Sequence, residues 1–150
     1  MKELHGSAET EIAASQEQCF AVLADVEGYP RWHPDAIRSV EVIERDASGQ
    51  PSRVATTLHA QIGPLARDFP VLMTVALKAS SEVSLARVPH EPSDPERFEV
   101  NWKISTGPRS RVQLQYEALL EVPRLLPVGG LATPLAEGLV AAFERELSSS

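Results

Sequence analysis

The sequence predicts an α+β chain in which a curved antiparallel sheet of seven strands wraps around a long C-terminal helix, with two short helices after the first strand. Three observations predict it. Apolar and polar side chains alternate from Ile37 to Val122, the pattern of strands with one face buried and one face wet. Helical periods flank that stretch, a short one before Pro34 and a long one-sided one after Thr133. Finally, the widths do not match. Seven strands about 4.8 Å apart make a sheet roughly 34 Å wide, whereas a helix with its side chains is only about 10 to 12 Å across. One helix cannot cover such a sheet laid flat, so the sheet must curl around it.

A weak alternation from Leu4 to Ala14 is the first strand. Ser15 then caps a helix, and Gln18 three residues later completes an S-x-x-Q capping box. Cys19, Phe20, Val22, Leu23 and Val26 supply its apolar stripe. Gly28 is expected to end it in the left-handed region, and Pro30 and Pro34 keep it from continuing. One more short turn carries Tyr29, Trp32 and His33. The segment Ser15 to Pro34 thus holds three of the eight Phe, Trp and Tyr residues of the chain, and it reads as the lid or plug of a pocket.

Strands follow in order. Ile37 to Arg45 is rich in Val and Ile, and Asp46 to Pro51 is a turn by composition. From Arg53 to Ile62, Val54, Thr56, Leu58, Ala60 and Ile62 share a face opposite Arg53, Thr57, His59 and Gln61. Gly63-Pro64 turns the chain into a strand whose common face is Phe69, Val71, Met73, Val75 and Leu77, with Leu72 opposite. Glu82 to Val88 and Phe98 to Ser105 are separated by the Pro-rich loop 89–96. In the second of them Phe98, Val100, Trp102 and Ile104 alternate with Glu99, Asn101 and Lys103. After Thr106 to Ser110, Val112, Leu114, Tyr116, Ala118, Leu120 and Val122 point inward in the clearest strand. Val128-Gly-Gly-Leu131 is a hinge, Thr133 an N-cap and Pro134 the first helical residue. Leu131, Leu135, Leu139, Phe143 and Leu147 recur every four residues against Glu137, Glu144, Arg145 and Glu146.

With 150 residues, 43% of them hydrophobic, one domain over residues 1–150 is expected, able to bury a core without staples. A formal charge of -7 speaks against nucleic acid and against an anionic membrane surface. Cys19 is the only cysteine, so an internal disulfide or a cysteine-based zinc site is excluded. Met1 to Ser7 lacks the apolar core of a signal peptide, and no apolar run approaches membrane-spanning length. The expectation is a cytoplasmic protein, monomer or homodimer, with no integral membrane segment.

A curled sheet and one helix leave a hollow where they do not meet, and apolar hollows with a few polar groups are common small-molecule sites. The competing reading is that Leu58, Met73, Trp102, Tyr116 and Phe143 simply fill that space.

At this point the sequence resembles the START-like, birch-pollen-allergen-like superfamily, also labelled SRPBCC or polyketide cyclase/dehydrase. The resemblance rests on Val22-Leu-Ala-Asp-Val-Glu-Gly-Tyr-Pro-Arg-Trp-His-Pro34 before the strand Ser39 to Asp46, on Phe98 to Ile104, and on the long final helix. It covers essentially the whole chain in element order, and it is most like the small single-domain members. It implies a helix-grip fold with a deep apolar cavity for lipids, isoprenoids, polyketides or other aromatic molecules. Some relatives are aromatase/cyclases, and others carry coenzyme Q or sterols. The cyclase type places polar and arginine side chains inward on a central strand. The corresponding strand here, Asp68 to Val75, offers only Asp68 and Thr74. Trp32 matches the tryptophan that the family sets near the cavity mouth.

Candidate ligand-binding residues are Phe20, Tyr29, Trp32, His33, Leu58, Phe69, Val71, Met73, Trp102, Tyr116, Leu139 and Phe143. His33 is either a proton donor or acceptor at the mouth or a surface imidazole capping a turn. Tyr116 and Trp102 carry one donor each on inward parity, for a ligand carbonyl or for a neighbouring backbone group. Arg87 follows Val83 and Leu85 in parity, and either reaches the cavity rim or snorkels outward. His59 is expected to be solvated, His90 with Glu91 and Asp94 to sit in an acidic loop, and His5 to have no partner. No histidine spacing suits a metal, and no phosphate loop is present, so neither a metal nor a cofactor is expected. The leading function is binding or carriage of a hydrophobic small molecule such as a lipid, isoprenoid or aromatic polyketide. The alternative is a polyketide cyclase/dehydratase acting on a ligand in the same cavity. A protein-interaction domain would instead need a filled core and a large apolar patch on its surface.

Overall fold

A computed structural model describes residues 2–62, 64–120 and 132–148. Its elements run β1 (Lys2–Ile12), α1 (Gln16–Ala24), a 3-10 turn (Val26–Gly28), α2 (Tyr29–Trp32), β2 (Ile37–Arg45), β3 (Pro51–Ile62), β4 (Leu65–Lys78), β5 (Glu82–Arg87), β6 (Arg97–Ser105), β7 (Ser110–Leu120) and α3 (Ala132–Ser148). The seven strands form one sheet in the order β1-β7-β6-β5-β4-β3-β2, and every neighbouring pair is antiparallel. The expected architecture is therefore present, with each strand displaced by no more than a few residues from its sequence reading.

Register aligns the inward positions into rows. Leu85 lies opposite Val100, Val100 opposite Tyr116 and Tyr116 opposite Gly6, while Val83, Trp102, Leu114 and Ala8 form the next row. Gly6 is needed there because a Cβ would run into the Tyr116 ring and the Ala132 carbonyl. Its absence lets the start of α3 settle onto β1. α3 lies chiefly against β1 and β7, and α1 crosses β5, β6 and β7. Cys19, Leu23, Val26, Trp102, Val112, Leu114, Ala136 and Phe143 are almost wholly excluded from solvent between them. Among the described residues, no helix packs chiefly on β3 or β4, and this is where the fold leaves room.

Local chemistry decides the ends. Both bonds of the capping box form, Gln18 N to Ser15 Oγ at 3.1 Å and Ser15 N to Gln18 Oε1 at 2.8 Å. Gly28, however, does not end α1 in the left-handed region. The helix stops at Ala24, Asp25 caps it, and Gly28 keeps a right-handed conformation with φ of -81°. A side chain at Gly28 would instead meet the Asp25 carboxylate 2.8 Å away, so close approach explains the glycine. Pro30 is accepted inside the first turn of α2, where no N–H bond is lost. The turn after β2 is held by Asp46, whose carboxylate accepts from Ser48 N and Gln50 N, and Gly49 takes the left-handed position with φ of 86°.

In α3 the buried positions are Ala132, Ala136, Val140, Ala142 and Phe143, so the expected leucine stripe is corrected. Steps of four residues rotate by about 40° each on a 3.6-residue helix, and the leucines fan off the buried face. Leu139 and Leu147 are half-buried, and Leu135 is 38% exposed. α3 as described starts at Ala132, so Thr133 lies within the first turn rather than capping it and Pro134 is the third residue rather than the first. The hinge Val128 to Leu131 and the inward position Val122 fall outside the described residues.

Candidate functional site

Between α3 and the inner face of the sheet lies a cavity of about 280 Å3. An engineered apolar cavity of about 150 Å3 holds benzene, so this one has room for about two fused rings. Val26 and Tyr29 line it from the N-terminal helical segment, and Leu135 and Leu139 from α3. Thr56 and Leu58 of β3, Phe69, Val71 and Met73 of β4, Leu85 of β5, Phe98, Val100 and Trp102 of β6 and Tyr116 of β7 form the sheet wall. Pro70, His90 and Leu135 are the exposed lining residues, which puts the mouth among β4, the β5–β6 loop and the start of α3.

Of the candidates named from sequence, Tyr29, Leu58, Phe69, Val71, Met73, Trp102, Tyr116 and Leu139 line this cavity. Phe20, Trp32, His33 and Phe143 do not. Phe20 flanks a separate groove with Ala24, Asp25 and Arg45. Trp32 was expected at the mouth, yet it is packed with its ring 5.0 Å from Tyr29 and 6.2 Å from Phe143. The cause is that α2 docks on α3, where Arg31 pairs with Glu146 at 2.7 Å. His33 lies beyond Trp32, its ring 6.4 Å away. Burial lowers its pKa, Asp35 opposes that fall and Arg145 adds to it.

The hydroxyls in the wall already have partners. Tyr116 Oη donates to Ala132 O at 2.9 Å, Thr56 Oγ1 to Val71 O at 2.8 Å, and Tyr29 Oη to Leu23 O. Burial raises the pKa of both tyrosines, and Asp25 adds to the rise at Tyr29. Both phenols therefore stay neutral. Trp102 Nε1, in contrast, is buried without a hydrogen-bond partner.

Arg87 and Glu96 bring charge to the wall, and Arg87 is the more deeply buried of the two. It does not snorkel outward: its side chain is 8% exposed and pairs with Asp94 at 2.8 Å, while Nη1 donates to Glu96 O at 2.9 Å. Its parity after Val83 and Leu85 was the signal for it, but its partner, seven residues on in a loop, left no trace in the pattern. Asp94 also accepts from His90 N and Glu96 N, so the loop expected to be acidic and solvated is tied to the cavity wall. His59, read as solvated, is partly covered at the rim and meets Asp68 at 2.7 Å. Arg67 lies over the Phe69 ring, 5.2 Å from its centroid. His5, expected to be alone, sits 2.6 Å from Glu3. Among the described residues no cluster of His, Cys, Asp and Glu is suited to a metal, and no helix is long and apolar enough to cross a membrane.

Comparison with known proteins adds to this. The family model described as polyketide cyclase / dehydrase and lipid transport matches residues 12–147. A START superfamily protein from Mycobacterium smegmatis superposes with a TM-score of 0.75 at 23% identity, covering 97% of this chain and 98% of the other. A STAR-related lipid transfer protein from Xanthomonas axonopodis gives 0.65 at 17% identity, over 95% and 84%. The Zhui aromatase/cyclase from Streptomyces sp. R1128 gives 0.58 at 20%, over 96% and 86%. At these identities the likeness is one of fold, the helix grip. Against curated proteins the chain finds no match.

Proposed function

Because the chain belongs to the polyketide cyclase / dehydrase and lipid transport family, we propose that it binds and carries a hydrophobic small molecule of about two fused rings, or a comparable lipid segment. One observation carries this reading: an apolar cavity of about 280 Å3 whose wall includes eight of the candidate residues that the sequence singled out. Carriage is favoured over cyclisation by the state of the polar groups. A cyclase needs an acid or base able to give or take a proton beside the substrate. The hydroxyls of Tyr116 and Tyr29 are committed to backbone carbonyls, His33 lies outside the wall, and the two imidazoles that do line it, His59 and His90, stand at its rim, with His59 bonded to Asp68. A protein-interaction domain would need a filled core, which the cavity argues against.

Native mass spectrometry of the protein as purified, before and after organic extraction, tests the proposal. A small-molecule adduct removed by extraction, and displaced by a naphthalene-class probe, is the expected result. A protein that carries no adduct and takes up no such probe would overturn it.

A further inference from the structure

We infer that α2 is an acid-sensitive clasp: when His33 takes up a proton, α2 lifts off α3, the cavity opens at the end away from its mouth, and its occupant is released. This would regulate the site proposed above, and it rests on the reading of the cavity as a binding site.

The clasp is short and lightly held. α2 is a single turn, Tyr29–Trp32, seated on α3 by the Arg31–Glu146 pair at 2.7 Å and by the Trp32 ring 6.2 Å from that of Phe143. The same segment is cavity wall, because Val26 and Tyr29 line the cavity. Phe143 lies eight residues beyond Leu135 of the mouth, about 12 Å along α3, so this turn closes the opposite end. One member of the seat gains by leaving it. Trp32 Nε1 is buried with no hydrogen-bond partner among the described residues, and water satisfies it once α2 lifts.

His33 caps the C-terminal end of α2, and its ring stacks on Trp32 with the planes 22° from parallel. Charges from each neighbouring element surround it. Asp35, next in the loop, attracts a protonated ring, whereas Arg145 of α3 repels it. Arg31 of α2 is paired with Glu146. From β2, Arg38 donates to Pro34 O at 3.2 Å. From β3, His59 donates its backbone N–H to Ala36 O at 2.7 Å, and its imidazole pairs with Asp68. Burial and Arg145 together outweigh Asp35, so the ring resists a proton while α2 is seated. Lifting α2 wets the ring and takes it away from Arg145, which returns its pKa toward about 6.5. The lifted state therefore gains population as pH falls below about 6.5, and stops gaining below the seated value. Release runs through that state, so its rate follows the population even where α2 is seated in nearly every molecule.

Protein loaded with 2-isopropylnaphthalene, which has no titratable group, is mixed with excess phosphatidylcholine vesicles, and release is followed by stopped-flow fluorescence at pH 7.5 and pH 5.5. Release from the wild-type protein should be at least about threefold faster at pH 5.5. His33→Asn should abolish that acceleration, Arg145→Gln should reduce it, and Arg31→Gln should speed release at both pH values. Amide exchange read by mass spectrometry, corrected for the intrinsic effect of pH, should quicken at pH 5.5 between Val26 and Ile37 and not in β7. That contrast separates lifting of α2 from loosening of the whole fold. An acid acceleration that survives His33→Asn, release indifferent to Arg31→Gln, or exchange that quickens equally in β7 would overturn the inference while leaving the binding site standing. A probe that fails to load at either pH would instead overturn the binding site, and the clasp with it.

Discussion

Tyr116 carries a structural load that its sequence position only half reveals. Its inward parity was legible, because alternation in β7 is clean. The destination of its hydroxyl was not, because Ala132 lies beyond β7 on another element and meets it only when α3 docks. Tyr116→Phe should therefore cost about 1 kcal/mol in chemical denaturation, the worth of one hydrogen bond, and leave probe binding nearly intact. Gly6→Ala is expected to cost more, about 1 to 3 kcal/mol, because the methyl would displace both the Tyr116 ring and the Ala132 carbonyl. At His33 the effect is one of pH. Burial holds its folded pKa below 6.5, so on acidification the unfolded chain takes up the proton first. Its contribution is complete above about 6.5 and falls away as pH drops from there toward the folded value. His33→Asn should flatten that part of the dependence in urea midpoints compared between pH 7.5 and pH 5.5, both read relative to the wild-type protein.

Elements differ in how much of them the sequence can specify. The start of α1 is local: Ser15 and Gln18 satisfy each other's backbone within four residues, so the box was readable and is present. Ser15→Ala should cost about 1 kcal/mol, read from the denaturation midpoint. α3 is different, because its buried face is chosen by what it packs on. Ala132 sits against Gly6 of β1, where the glycine permits close approach, and Leu135 and Leu139 are displaced toward the cavity. Leu135 becomes a lining residue at the mouth, 38% exposed. Leu135→Gln should then leave stability within about 0.5 kcal/mol while measurably weakening the hydrophobic probe. A large loss of stability with unchanged binding would return Leu135 to the core stripe that its spacing suggested.

At the scale of the whole molecule, the width of seven strands against one helix was enough to foresee a hollow, since it follows from strand count alone. Which residues close that hollow was less visible. Trp32 and Phe143 are as apolar and as well placed in the pattern as Met73 or Leu58, yet α2 docking on α3 draws them into the core. α3 lies chiefly on β1, and the inner faces of β3 and β4 line the cavity. Atoms lining such a space forgo dispersion contacts on one side, so the empty protein should gain from having it filled. Val71→Phe places a ring on inward parity of β4, among Leu58, Phe69 and Met73. The expected gain is about 1 kcal/mol, as for other cavity-filling changes, seen as a higher melting temperature without ligand. A saturating probe should stabilise the wild-type protein by about 2.7 kcal/mol at a hundred times its Kd, and the Val71→Phe protein hardly at all. The two effects are then alternatives, because ring and ligand compete for one volume. If both proteins instead gained equally from the probe, it would be binding elsewhere, and the hollow between α3 and the sheet would not be the site.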